Sequence, residues 1–499
     1  MFRWLRIIVL LTLALVGASR AASSCPSIKP RFPSVLTYAS LNGIAPPETD
    51  GEWWFDVKHL DMANGDPPDL VEFKKRDPGF FMVKYRLLES ALLGDPEGRA
   101  LDAFCRSRSL DPEEAYLHYS DDTRIRVEGK VYLNKGWGKG TAANKRESRI
   151  RAHVWNSWRF VYNPHDRCTR EFMTDRSVKD ITENIKGFHY DGVFIDEVNP
   201  PDWPEEMPVP PSVISGGHTL EYGGQTKEQV AKSGEYMRDL TALFAEISAA
   251  MKAASHGRSL FYPNTSGYTT ESVVRLGLAA DGLLTEGLSV EGAAYSDRGE
   301  TLLWDVARRL AAHGKIYILA QASSDPPQEK NFNASNYRSP QDRHEMYSLA
   351  SYWMARHDDC TYYSQRYRWQ QLSSSWIKAQ EYDIGQPVGD YYLWKENNSV
   401  GDSAGQKYRI YRRDYSKAIV LFRTRYDWSE VNNKDFGAKS DSYELGGAYR
   451  LLYPNGKLGP PVTRIALSLG EGVVLIPEAR RLRGLEGDRR SQSSSARSR

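Results

Sequence analysis

The chain has 499 residues, 40% of them hydrophobic and 26% charged, a composition that excludes global disorder and a multi-span membrane protein. Sixty-six basic residues against 64 acidic ones give a net charge of +2, so bulk electrostatics make no case for nucleic acid as the partner. The unusual figure is the aromatic content, 12% with 13 Trp and 29 Tyr, a density that serves ligand-stacking surfaces as well as core packing.

The charge is unevenly placed. The first twenty residues carry Arg3, Arg6 and Arg20 and no acid, and the last twenty carry seven Arg against Glu486 and Asp488. Those ends contribute +3 and +5, which leaves −6 for the body between them. Residues 1–21 read as an export signal. Arg3 and Arg6 precede the apolar run Ile7 to Val16, and Ser19-Arg20-Ala21 offers a cleavage site of small-x-small type. That run is about half of the roughly 20 residues a spanning helix needs. No later segment is long and apolar enough, so no stable membrane insertion is expected once the signal is removed.

Four cysteines remain, Cys25, Cys105, Cys168 and Cys360. In an exported protein they permit two disulfides with three alternative pairings. The competing reading makes Cys25 the lipidated first residue of a lipoprotein. The preceding Ala22-Ser23-Ser24 lacks the usual Leu, and lipidation would leave an odd number of thiols. A secreted or periplasmic protein is the expectation. The tail 480–499 has no apolar periodicity and reads as disordered.

Eight short apolar runs, rich in β-branched and aromatic residues, read as strands: Val35–Ser40, Phe80–Arg86, His153–Tyr162, Gly192–Val198, Ser259–Asn264, Gly282–Leu288, Ile316–Ala322 and Thr361–Ser364. Helical periodicity lies between them, best developed from Thr226 to Ala254 and also at Ser177–Ile185, Thr270–Leu278, Glu300–His313 and Asp342–Arg356. Eight strands with helical crossovers predict a (β/α)₈ TIM barrel over residues 32–370. The long stretch between the second and third runs includes an added hairpin near Val127–Leu133. After about Tyr367 strands come without helices: Tyr391–Trp394, Tyr408–Arg412, Ala418–Thr424, Ser442–Leu445, Ala448–Leu452 and Gly470–Ile476. Turns such as Asn455-Gly456 and Gly459-Pro460-Pro461 separate several of them, so a small antiparallel β-sandwich is expected over 385–478.

A parallel barrel gathers its functional groups at the C-terminal ends of its strands. The fourth run ends in Asp196-Glu197, two carboxylates closing an apolar strand where burial of charge is costly unless paired or used. Val193 and Ile195 share one face, and Phe194 and Asp196 the other. Asp191 reads as a structural cap of the turn into this strand. The sixth run ends in Glu286, the fifth leads through Asn264 to Tyr268, and the seventh ends at Gln321. Two carboxylates across a barrel mouth are the minimum machinery for glycosidic cleavage: one protonates the leaving oxygen, the other attacks the anomeric carbon or activates water.

The segment Tyr190-Asp191-Gly192-Val193-Phe194-Ile195-Asp196-Glu197 resembles the fourth-strand motif of TIM-barrel glycoside hydrolases related to the α-galactosidase superfamily, in its "hypothetical glycosyl hydrolase" branches. Looser similarity extends to Glu113–His118, the Trp155-Asn156 region and Thr285-Glu286-Gly287. The resemblance implies that the carboxylate ending the fourth strand is the nucleophile and the one ending the sixth is the acid/base, which here are Asp196 and Glu286. Glu197 adjoins Asp196 and competes for the first role. The second position holds Glu where the superfamily has Asp.

Asp196 then needs donors to hold it ionised, for which Asn264 and Tyr38 are candidates, and Glu286 needs a raised pKa. Carboxyl groups about 5–5.5 Å apart imply retention of configuration, and about 6.5–9.5 Å inversion. Sugar stacking is assigned to loop aromatics, above all Trp137 and Trp203, whose neighbours are Gly, Pro and polar residues, and to Tyr268. The histidines are dispersed with no HExxH, so neither a catalytic metal nor another cofactor is expected. The expected function is an exported glycoside hydrolase acting on an oligo- or polysaccharide. The alternatives are an endo-acting hydrolase of an amino-sugar polysaccharide, whose cationic chains an acidic cleft would favour, and a non-catalytic carbohydrate-binding barrel.

Overall fold

The computed structural model describes residues 25–478 except 26–27, 29, 42–46, 88–90, 93–95, 117–122, 128–129, 135–150, 155–156, 161, 197, 199–233, 266–269, 287–296, 321–335, 365–370, 398–407, 425–439 and 469. The export signal and the tail expected at the two ends lie outside the described residues.

Eight parallel strands form the barrel: β1 (Leu36–Ser40), β2 (Met62–Gly65), β3 (Phe81–Leu87), β4 (Gly192–Asp196), β5 (Leu260–Pro263), β6 (Gly282–Glu286), β7 (Ile316–Ala320) and β8 (Thr361–Ser364). The hydrogen-bonded order is β5-β4-β3-β2-β1-β8-β7-β6. A parallel bridge from Asn264 to Leu284 joins the two free edges and closes the ring. Side chains alternate as the pleat requires. Phe194 packs inside the barrel with Tyr38, Val83, Tyr262 and Leu284. Val193 and Ile195 pack outside, against the helices.

The helices are α1 (Asp50–His59), α2 (Pro67–Arg76), α3 (Pro96–Ser107), α4 (Arg167–Thr182), α5 (Glu235–Ser255), α6 (Glu271–Ala279), α7 (Asp297–Ala311) and α8 (Pro340–Ala355). Local chemistry sets several of their ends. Thr49 and Glu52 form a reciprocal capping box at α1, and Ser339 followed by Pro340 starts α8.

At the N-terminal end of the barrel one device recurs three times. An aspartate directly precedes β2, β4 and β6. Its carboxylate accepts the backbone N–H of a residue in the preceding strand, and its own N–H donates back to that residue's carbonyl. The pairs are Asp61 with Thr37 (2.6 and 3.0 Å), Asp191 with Met82 (2.8 and 2.7 Å) and Asp281 with Phe261 (3.1 and 2.7 Å). In the matching place before β8 stands Cys360, bonded to Cys25. Gly192 follows Asp191 because a Cβ there would lie 2.4 Å from the carbonyl oxygen of Leu260.

Two strand assignments need correction. β2 (Met62-Ala63-Asn64-Gly65) is too short and mixed to register as an apolar run, yet it is a fully buried barrel strand. His153–Tyr162 is not a barrel strand. Arg151–Val154 and Ser157–Phe160 form an antiparallel hairpin that Ala91–Leu92 joins, outside the barrel. The two errors cancel in the count, so Gly192–Asp196 is the fourth strand and Gly282–Glu286 the sixth. The added hairpin is present as Thr123–Val127 paired with Lys130–Asn134.

The C-terminal part is an antiparallel sheet of β9 (Tyr392–Asn397), β10 (Tyr408–Asp414), β11 (Ile419–Arg423), β12 (Ser440–Leu452), β13 (Leu458–Ser468) and β14 (Glu471–Pro477), in the order β9-β10-β11-β14-β12-β13. Trp394 of β9 meets Tyr443 of β12 at 5.9 Å although three strands separate them in the sheet, so the sheet folds over on itself as a sandwich does. Ser442–Leu445 and Ala448–Leu452 are one strand with a bulge at Gly446, whose φ is +71°. The Gly459-Pro460-Pro461 stretch read as a turn lies inside β13, an edge strand, where a missing N–H is tolerated.

This sheet rests on α7 and α8. A Cβ on Gly472 would come within 2.4 Å of the Ala350 Cβ, so β14 lies directly against α8. Arg413 donates to the carbonyls of Trp353 and Met354 in the last turn of α8, at 3.1 and 2.6 Å. Beneath the contact Glu300 is fully buried. Its carboxyl oxygens accept from Ser351 (2.5 Å) and Tyr347 (3.1 Å), and Trp304 Nε1 donates to Ser351 at 2.9 Å. Burial pushes the Glu300 carboxyl up to about 8.

The cysteines pair as Cys25–Cys360 and Cys105–Cys168. The first ties the N-terminal segment to the start of β8, and the second ties α3 to α4.

Candidate active site

The inner face of β4 reads Phe194 then Asp196, so strand alternation delivers Asp196 to the mouth of the barrel as the last residue of the strand. Its two oxygens have separate partners. Asn264 Nδ2 donates to Oδ1 at 2.7 Å, and the Tyr85 hydroxyl donates to Oδ2 at 2.6 Å. Asp196 and Tyr85 are both half-buried.

Asn264 is 3% exposed and its backbone is fixed on both sides. Its N–H donates to the Ile195 carbonyl (2.7 Å), its carbonyl accepts from Val198 N–H (3.0 Å), and it bridges to Leu284. The amide that holds Asp196 is therefore anchored to β4 and β6 at once. Tyr85 comes from β3, in register with Phe194, its ring 5.7 Å from that phenyl.

Glu286 is the last residue of β6, in register with Ala320 of β7, and half-buried. Alternation from Leu284, an interior residue, puts it on the inner face as well. One strand, β5, separates β4 from β6, so the two carboxylate-bearing backbones stand about 10 Å apart at ordinary strand spacing. Their side chains extend inward from there into one mouth.

Tyr38, the other candidate donor to Asp196, hydrogen-bonds with Asn64. It is 1% exposed inside the barrel, below the mouth, where its hydroxyl accepts from Asn64 Nδ2 at 2.5 Å and its ring meets Tyr262 edge-on at 6.4 Å. An aromatic on the inner face in mid-strand fills the barrel core, which explains this. Asn264 takes the donor role foreseen for it, but as a buried support. Glu197, Trp137, Trp203, Tyr268 and Gln321 lie outside the described residues. The residue that sequence reasoning missed is Tyr85. The period-two set Phe81, Val83, Tyr85 carried the signal, since it puts Tyr85 on the inner face at the end of β3.

Asp191, directly before the first residue of the motif's strand, is spent at the opposite end of the barrel. Its Oδ2 accepts from Met82 N–H and from Lys74 Nζ at 2.7 Å. Among the described residues no group of three or more His, Cys, Asp or Glu side chains is placed to hold a metal ion.

The sequence places this barrel in a family. Residues 116–419 match the model of "Hypothetical glycosyl hydrolase family 15", a span that includes β4 to β8, Asp196 and Glu286. The chain belongs to this family.

No curated protein matches the chain in sequence. Among solved structures it is similar to a cycloisomaltooligosaccharide glucanotransferase of Paenibacillus sp., at 12% identity and a TM-score of 0.37, covering 89% of this chain and 55% of that one. It is also similar to the catalytic subunit of ER glucosidase II, at 9% identity and 0.40, covering 91% and 46%. A third is the cyclic α-maltosyl-(1→6)-maltose hydrolase of Arthrobacter globiformis, at 10% and 0.39, covering 91% and 95%. The chain spans about half the length of the first two. At these identities and scores the neighbours carry no information on substrate.

Proposed function

We propose that the protein is an exported enzyme that hydrolyses glycosidic bonds in an oligo- or polysaccharide, with Asp196 as nucleophile and Glu286 as acid/base, in the manner of barrels related to the α-galactosidase superfamily. The observation that carries this reading is Asp196 at the end of β4, held by one donor on each oxygen, with Glu286 two strands along on the same inner face. A carboxylate that accepts two hydrogen bonds is fixed in direction.

In the first step an Asp196 oxygen bonds to the anomeric carbon. The bond to the leaving oxygen breaks, and its electron pair stays with that oxygen, which takes the proton of Glu286. In the second, water adds to the anomeric carbon and returns a proton to Glu286, and the Asp196 ester bond breaks. No side chain gains or loses a net proton over the cycle.

Export is proposed on the same footing. Two cysteine pairs at bonding geometry suit an oxidising compartment. The Cys25 sulfur, committed to Cys360, has no valence for a lipid, which favours the unlipidated reading.

A panel of 4-nitrophenyl glycosides and polysaccharides, offered to the wild type and to Asp196→Asn, tests the proposal. Turnover of a panel member by the wild type alone is the expected result. Equal turnover by both proteins would remove Asp196 from its assigned role.

A further inference from the structure

The hydrogen bonds to Asp196 are unequal in kind. On Oδ1 the donor is an amide buried at 3% exposure and clamped by backbone bonds to β4 and β6. On Oδ2 the donor is a phenol that is half-buried, on a strand whose end faces the mouth. The first arrangement cannot yield without disturbing the barrel closure. The second belongs to a hydroxyl that rotates about one bond and borders the open part of the site.

We infer that Tyr85 is a positioning residue of the reaction, setting the aim of Asp196 through Oδ2, on the side from which substrate approaches. This rests on the assignment of Asp196 as the reacting carboxylate. Tyr85 keeps its proton throughout and forms no bond to sugar. Its O–H bond to Oδ2 stabilises the negative charge before attack and loosens as that charge passes into the new ester bond. Asn264 holds the other oxygen through the same cycle.

The surroundings leave the effect readable. Of the groups near Asp196 among the described residues, Tyr85 comes from β3, Asn264 from β5 and Glu286 from β6, while Tyr38 and Tyr262 lie below in the barrel core. The cations flanking Tyr85 face outward. Lys84 pairs with Asp66 at 2.8 Å, and Arg86 pairs with Asp180 and with Glu97.

The test measures kcat and KM of the full-length wild type and of Tyr85→Phe on an aryl glycoside that the wild type turns over. Phenylalanine keeps the ring contact with Phe194, and a thermal melt checks folding. In a folded Tyr85→Phe, kcat should fall tenfold or more with KM within twofold, and to the same extent with good and poor leaving groups, because the group disturbed is the attacking carboxylate and not the acid. An unchanged kcat, or a loss confined to KM, in a folded Tyr85→Phe would overturn the inference. Full activity in Asp196→Asn would instead overturn the assignment of Asp196 on which it rests.

Discussion

The carboxylate of Asp191 accepts the backbone N–H of Met82, while the N–H of Asp191 donates to the carbonyl of that same Met82. The motif that led to the site thus holds two aspartates with opposite duties, at opposite ends of one strand. Asp191 also neutralises Lys74, whose side chain is 8% exposed. Replacing Asp191 with Ala leaves that ammonium and the Met82 N–H without their acceptor. The expected cost is about 2–4 kcal/mol of unfolding free energy by chemical denaturation. Activity per folded molecule should stay at the wild-type level. A variant that keeps its stability and loses activity would reverse the division of roles.

Asn264 supports the site from below, so its loss should act on turnover. Asn264→Ala removes a hydrogen bond to a charged group, worth about 1.5–3 kcal/mol, which corresponds to a fall in kcat of roughly 10- to 100-fold. Asn264→Asp should be worse, because it sets a second carboxylate 2.7 Å from Asp196 in place of a donor. Steady-state kinetics of the two variants check the order of severity.

Glu300 makes stability depend on pH. Its folded-state value, about 8, lies above the ordinary 4.5, so the native state holds a proton that the unfolded chain releases between those limits. Its contribution is complete below about 4.5 and is lost as pH rises toward 8. Glu300→Gln keeps an uncharged group of the same shape against Ser351 and Tyr347. Its stability relative to wild type should therefore climb from pH 5 to pH 8, by at most about 1.4 kcal/mol per pH unit. Denaturation midpoints at three pH values measure this. A wild-type-minus-variant difference that is flat across the range would contradict it.

Peptide mapping without reduction should recover Cys25 linked to Cys360 and Cys105 linked to Cys168, and neither crossed pairing. Removing the second pair as Cys105→Ala/Cys168→Ala should lower stability by roughly 2–4 kcal/mol. A Cys25 peptide carrying the mass of a lipid would contradict both the pairing and the unlipidated reading.

Much of this architecture was legible in the residues, and the failures have physical causes. Seven of the eight apolar runs are barrel strands because a strand buried on both faces must be apolar throughout. β2 escaped because its inner face ends in Asn64 and its last residue is Gly65, so its short length left no run to see. Arg151–Phe160 misled because a two-stranded hairpin with aromatic residues has the same composition as one longer strand. At the site, the positions of Asp196 and Glu286 followed from strand ends alone. The partners of Asp196 did not, because they come from β3 and β5, and only closure of the barrel brings those strands beside β4. Tyr85 went unseen as a donor for lack of a register, which its pairing with Phe194 supplies.

The central claim is that Asp196 and Glu286 act as a pair in bond cleavage. It is tested most directly by measuring kcat/KM of wild type, Asp196→Asn and Glu286→Gln on an aryl glycoside with a good leaving group and on one with a poor leaving group, choosing sugars that the panel shows to be substrates. Asp196→Asn should lose at least about 10³-fold on both, since the attacking carboxylate is gone. Glu286→Gln should lose far more on the poor leaving group than on the good one, which departs without a proton. Equal, small losses in both variants on both substrates would contradict the account.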